Sequence, residues 1–166
     1  MKTNNKEKSK VKTKSHIKSH IKRPVKVPKT MSQALEMALK DDRISVERGF
    51  YMSRLDSEPK ILVCAIGGIF AETVVKNSFD YYIKNYNRKN MVTSICKKIK
   101  GACDILPEEV FNEYDQEGRL TNYYHTFYYN TLPEDKVTWL DFVEYLYEWQ
   151  YQDINKIIEI LKGYDK

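Results

Sequence analysis

Cys64 and His125 come first, because a thiol and an imidazole are the two parts of an activated nucleophile. Cys64 stands near the start of a predicted helix, whose dipole would favour a thiolate; His125 is the only histidine after residue 30, with Asn130 or Asp141 available to orient it. Together they would make a cysteine hydrolase. The opposing reading starts from the neighbours Val63, Ala65, Ile66 and Ile69. In so apolar a run a cysteine is a small buried hydrophobe with a raised pKa. The buried reading is preferred, and no catalytic residue is assigned.

Other chemistry is weaker still. Cys96 and Cys103 have six residues between them, which matches no zinc spacing, and His16 and His20 could ligate together only on a helix. Gly67-Gly68 is followed by no Lys-Ser or Lys-Thr, so it is no phosphate loop and reads as a place where helices pack closely. The tract Tyr123–Tyr129 could stack on bases but lacks interleaved Arg or Lys, so core packing or a protein interface fits it better. No metal ligand and no cofactor is expected.

What does stand out is charge. Residues 1–30 carry ten Lys and Arg23 against Glu7 alone, whereas residues 31–166 carry 17 basic and 22 acidic residues. A basic arm on an acidic body is drawn to polyanions. The candidate phosphate-binding residues are Lys8, Lys10, Lys12, Lys14, Lys18, Lys22, Arg23, Lys26 and Lys29. Lys recurs every second residue from 6 to 14 and every fourth from 14 to 26, with Ser-His-Ile-Lys twice in succession; the first spacing lines one edge of an extended chain, the second one face of a helix. Self-repulsion, Pro24 and Pro28 predict that the free arm is disordered. The bland alternative is a solubilising tail.

The remaining residues suffice for one domain over 31–166. A hydrophobic content of 42% with 13 Tyr, 6 Phe and 2 Trp supplies a core, and only 6 Gly and 5 Pro argue against a loop-rich chain. Three cysteines make no disulfide framework, which predicts a reducing compartment and an intracellular protein, cytoplasmic or associated with a nucleoprotein particle or virion. The basic N-terminus lacks the apolar stretch of a secretory signal and the Arg-rich character of a transit peptide. The longest apolar window, Ile61–Val75, is interrupted by Glu72 and Thr73, so a soluble protein without a membrane span is expected.

The elements that follow are mostly helical. Thr30 and Gln33 form a capping box for a helix with Leu35, Ala38 and Leu39 on its stripe and Asp41-Asp42 at its end. Residues 44–63 read as a loose hairpin, and 64–79 as a central core helix apolar all round. Met91, Val92, Ile95, Cys96 and Ile99 mark an amphipathic helix that Gly101 ends; Pro107 opens another that Gly118 stops; Leu120, Tyr123, Tyr124, Phe127 and Tyr128 mark a short aromatic one. Thr138 with Asp141 caps a final helix running unbroken from Trp139 to Lys162, about 36 Å long. Asp141, Glu144 and Glu148 would then share an exposed side of it, where the arm could fold back.

Arg48-Gly49-Phe50-Tyr51, the run Val63-Cys64-Ala65-Ile66-Gly67-Gly68-Ile69, and Tyr129-Asn130-Thr131 ahead of Val137-Thr138-Trp139-Leu140-Asp141-Phe142-Val143 resemble a family of small uncharacterised bacterial and phage proteins. Its members carry a Cys-Ala-Leu-Gly-Ala-like helix and a Trp-Asn-Asp turn before a Thr-capped helix. Gly68 stands where that pattern has Ala, and Tyr129 and Thr131 replace its Trp and Asp. The resemblance implies a helical fold and a microbial or viral origin, and no activity. The sequence therefore predicts an all-α bundle of five or six helices, with a small hairpin near 50–63 and a disordered basic arm. Its expected role is a non-enzymatic accessory protein that binds nucleic acid or a nucleoprotein assembly. The alternatives are a structural protein, such as a phage-borne component, whose arm threads into an acidic protein, and thirdly the hydrolase of Cys64 and His125.

Overall fold

The computed structural model describes residues 26–127, 136–151 and 153–166, with the backbone alone for 124–127. Helix α1, Met31–Lys40, begins where Thr30 Oγ1 accepts the Gln33 N–H at 3.2 Å. Gln33 Oε1 reaches back one residue further than a capping box requires, accepting the Lys29 N–H at 2.9 Å. Its buried stripe is Met31, Ala34, Leu35 and Ala38; Leu39, expected on that stripe, is exposed.

Three short strands follow, in the spatial order β1-β3-β2. Strand β1 (Ile44–Val46) runs parallel to β3 (Ile61–Val63), pairing Ile44 with Ile61 and Val46 with Val63, and β2 (Ser53–Arg54) runs antiparallel to β3. The fold is therefore mostly helical with a small mixed sheet, not all-α. The expected loose hairpin is corrected to this three-stranded arrangement, in which β3 is central and buried along its length.

Strand β3 leads directly into α2, Ala65–Phe70, all six residues of which are buried. Its glycines permit close approach: a Cβ on Gly67 would lie 1.6 Å from the Tyr51 carbonyl oxygen, and one on Gly68 would lie 3.3 Å from the Ala38 Cβ of α1. The helix then widens into a π turn, Ala71–Val75, and breaks at Lys76, whose φ of 50° ends the hydrogen-bond ladder. Phe79 therefore belongs to a separate helix, α3 (Phe79–Asn85), followed by α4 (Arg88–Lys98). After α4 the chain turns back and brings Cys96 into disulfide contact with Cys103, Cα atoms 5.5 Å apart, within the reach of a bridge. This corrects the expectation of unpaired cysteines, and the cysteine count no longer argues for a reducing compartment.

Helices α5 (Glu108–Tyr114) and α6 (Arg119–Phe127) are joined by a 3-10 turn. The predicted final helix is two helices, α7 (Trp139–Tyr145) and α8 (Ile154–Gly163), separated by a second π turn at Leu146–Gln150 and extended backbone at Tyr151. The fold thus holds eight α-helices among the described residues, more than the five or six expected. No helix among them is long and apolar enough to cross a membrane. Helix α8 packs on α1, and α2 lies between α1 and α7 at the centre of the core.

Candidate functional site

The basic arm lies almost wholly outside the described residues: this holds for Lys8, Lys10, Lys12, Lys14, Lys18, Lys22 and Arg23. Lys26 and Lys29 are described and exposed, on the short segment leading into α1. There the chain passes Glu36, whose carboxyl is held below its usual range chiefly by its hydrogen bond to Lys162, with a smaller contribution from Lys26.

The body brings together a second set of groups that the sequence left scattered. Helix α7 opens with Asp141 in a reciprocal box, its Oδ2 accepting the Thr138 N–H at 3.0 Å while Thr138 Oγ1 accepts the Asp141 N–H at 3.3 Å. Asp141 Oδ1 and Glu144 Oε2 both accept from Arg88 Nη2 of α4, at 3.1 and 2.6 Å. Glu144 Oε1 accepts from Tyr51 Oη at 2.5 Å. The two carboxylates are 4% and 7% exposed, so the expected solvated acidic face is corrected to a buried network. Only Glu148 of that trio keeps partial exposure, and it accepts the Gly49 N–H at 3.3 Å.

The segment Arg48–Met52 is seated on the start of α2, with Cys64 donating its N–H to the Phe50 carbonyl and Gly67 pressed against Tyr51. Between this segment, α7 and the second π turn lies a cavity of about 250 Å³. Phe50, Tyr51, Tyr123 and Trp149 contribute its rings, Glu144 and Glu148 its carboxylates. Tyr123 and Trp149 stand at 58° to one another with centroids 5.8 Å apart. Burial raises the Glu148 carboxyl above its usual range, and the charge of Glu144 adds to this. Tyr51 is raised by burial and by Glu144.

Cys64 also lines this cavity, yet it is only 3% exposed. Its Sγ accepts the Gly67 N–H at 3.5 Å as the N-cap of α2, and burial pushes its thiol up to about 12. A helix start that would normally favour a thiolate is outweighed by desolvation, which supports the structural reading of Cys64. The His125 side chain and Asn130 lie outside the described residues, and Asp141 is committed to Thr138 and Arg88. No group of three or more His, Cys, Asp or Glu side chains among the described residues is placed to hold a metal ion.

A second acidic pair lies where the end of α1 meets the first π turn. Glu72, in the first π turn, is 8% exposed and its Oε1 has no hydrogen-bond partner among the described residues. Burial and its contact with the Asp41 carboxylate push its pKa up to about 7. For Asp41 burial acts in the same direction, but hydrogen bonds from Arg43 outweigh it and hold the group below its usual range. Neither this pair nor the Arg88 network was read from the sequence; the only signals were acids inside apolar runs.

No family model matches this chain, and no curated protein or solved structure matches it either.

Proposed function

We propose that this protein is a non-enzymatic accessory protein that binds nucleic acid, or an assembly containing it, through its Lys-rich arm. The observation that carries this reading is the segregation of charge, eleven basic residues against one acid in residues 1–30 and a net-acidic body beyond. Lysine engages phosphate as a point charge and releases condensed counterions, without the planar fork that reads base edges. Two features of the body support the arrangement. Lys26 and Lys29 are exposed where the arm joins α1. Asp141 and Glu144 are buried against Arg88 instead of forming an acidic face that would compete for the arm.

The test is duplex-DNA binding across a salt series by the full chain and by a variant with Lys8, Lys10, Lys12, Lys14, Lys18 and Lys22 changed to Gln. Six engaged phosphates give log K against log salt a slope of about −5 for the wild type, independent of base sequence. The variant loses most of that slope. Equal affinity and slope in the two proteins refute the proposal. Binding to an acidic protein that free DNA and heparin fail to displace favours the structural-protein alternative.

A further inference from the structure

The cavity beneath Arg48–Met52 has the opposite electrostatic character to the arm. We infer that it is a binding site for an alkylated ammonium group, held against the rings of Phe50, Tyr51, Tyr123 and Trp149 and facing the carboxylates of Glu144 and Glu148. The argument is one of matching chemistry. No Lys or Arg lines the cavity among the described residues; Arg88 holds Glu144 through Oε2 and Tyr51 holds Oε1, so Glu148, met by the Gly49 N–H and the charge of Arg48, is the carboxylate left for a guest to reach. Burial, with a smaller contribution from the charge of Glu144, outweighs the Gly49 N–H and the Arg48 charge and disfavours the ionised form of Glu148. A positive guest offsets both costs with its charge, whereas an anion deepens them and a neutral guest, displacing water without bringing charge, adds to the desolvation.

The rings decide which cation. A bare ammonium carries three N–H donors that need acceptors, and four of the side chains around the cavity are aromatic. The faces of aromatic rings attract a cation through their quadrupole and offer no lone pair to an N–H donor, which suits a charge spread over methyl groups. A metal ion is disfavoured because Glu144 and Glu148 are the only carboxylates lining the cavity among the described residues. The volume of about 250 Å³ admits a side-chain-sized guest. Trp149, 55% exposed, stands at the outer edge where the guest enters.

The experiment uses the full chain and ligand-observed NMR of the probe's methyl protons. Choline and Nε-trimethyllysine are titrated separately, beside 3,3-dimethylbutan-1-ol, the uncharged counterpart of choline in shape. Saturable binding of at least one cation is expected, with the uncharged alcohol weaker by about 2- to 30-fold, the range a cation–π contact supplies. The tighter of the two cations identifies the source as a choline headgroup or a methylated lysine side chain. Trp149→Ala and Glu148→Gln, changes at an exposed and a half-buried site, each weaken binding by a similar factor in protein whose circular dichroism is unchanged. Absence of saturable binding by both cations, equal binding of the alcohol, or unchanged binding in both variants overturns the inference.

Discussion

The π turn at 71–75 and the π turn at 146–150 each prolong a buried helix by five residues, and each carries a glutamate. Around them the molecule answers one problem in two ways. Beside the first turn, Glu72 meets another carboxylate, Asp41, and Arg43 is already paired with Asp41 at 2.6 Å. The compensation for Glu72 is a proton. Beside the second turn, Asp141 and Glu144 share the guanidinium of Arg88, and Tyr51 donates to the remaining Glu144 oxygen. The compensation there is a cation fixed by geometry. Acids buried against an acid make stability depend on pH; acids buried against a guanidinium make it depend on one residue.

The largest expected effect comes from removing that residue. Arg88→Met leaves two carboxylates that are 4% and 7% exposed without their shared cation, and breaking a buried pair in this way costs about 3 kcal/mol. Urea denaturation of the two proteins measures it. Adding Glu144→Gln to Arg88→Met recovers part of the loss, because the pair acts as a unit. A loss under about 1 kcal/mol, in the range of an exposed pair, breaks the contrast between the two turns.

The next effect depends on pH. Glu72 has its pKa raised from 4.5 to about 7 in the folded protein. A carboxyl raised in this way contributes stability that is complete below its unfolded pKa and is lost as pH rises through its folded pKa. Wild-type stability should therefore fall between about pH 4.5 and 7.5 by roughly 1–3 kcal/mol, the linkage value of a shift of this size. Glu72→Gln removes most of that slope and is more stable than wild type at pH 8. Glu148, also raised, leaves a residual slope of the same sign. Asp41, whose pKa is lowered, acts in the opposite sense and only at more acid pH. Denaturation midpoints that are parallel for the two proteins across this window contradict the proton-sharing account.

The smallest effect concerns Cys64, which joins the two regions by starting α2 and lining the cavity. Its sulfur caps α2 through the Gly67 N–H. A serine hydroxyl is a better cap acceptor, so Cys64→Ser should lie within about 0.5 kcal/mol of wild type, whereas Cys64→Ala loses the cap and costs about 1 kcal/mol. The thiol, buried and pushed up to about 12, should resist iodoacetamide at pH 7. Rapid alkylation in native protein would revive thiolate chemistry at this position.

The local devices of this fold were readable one at a time. Thr30 and Asp41 bound α1, Thr138 and Asp141 start α7, and Gly67-Gly68 mark a close approach, because each acts within a few residues or by the absence of a side chain. The sheet was not readable: strands of two or three residues are too short to show alternation, and β1 pairs with β3 although β2 lies between them in sequence. The break between α7 and α8 was hidden because Trp149, Ile154 and Ile157 continue a helical apolar pattern without Gly or Pro to interrupt it. The candidate cavity was missed for a related reason. Glu144 looks like a solvated helix residue until Arg88 and Tyr51, 56 and 93 positions away, are brought to it.

Lys166 gives the molecule a mechanical property. Its carbonyl oxygen accepts the N–H groups of Met31 and Ser32, at 2.6 and 3.2 Å, and its Nζ holds Asp104 at 2.9 Å, 5.6 Å from the centre of the Trp139 ring. The arm joins the body at the point where this one residue rivets α1 to the turn after α4 and to the start of α7. A pull on the arm, as from a polyanion under tension, is therefore passed first to α1, which packs on α8. The contacts that meet such a load first are the Lys166 carbonyl at the start of α1 and, further along the same helix, the Lys162–Glu36 pair between α8 and α1.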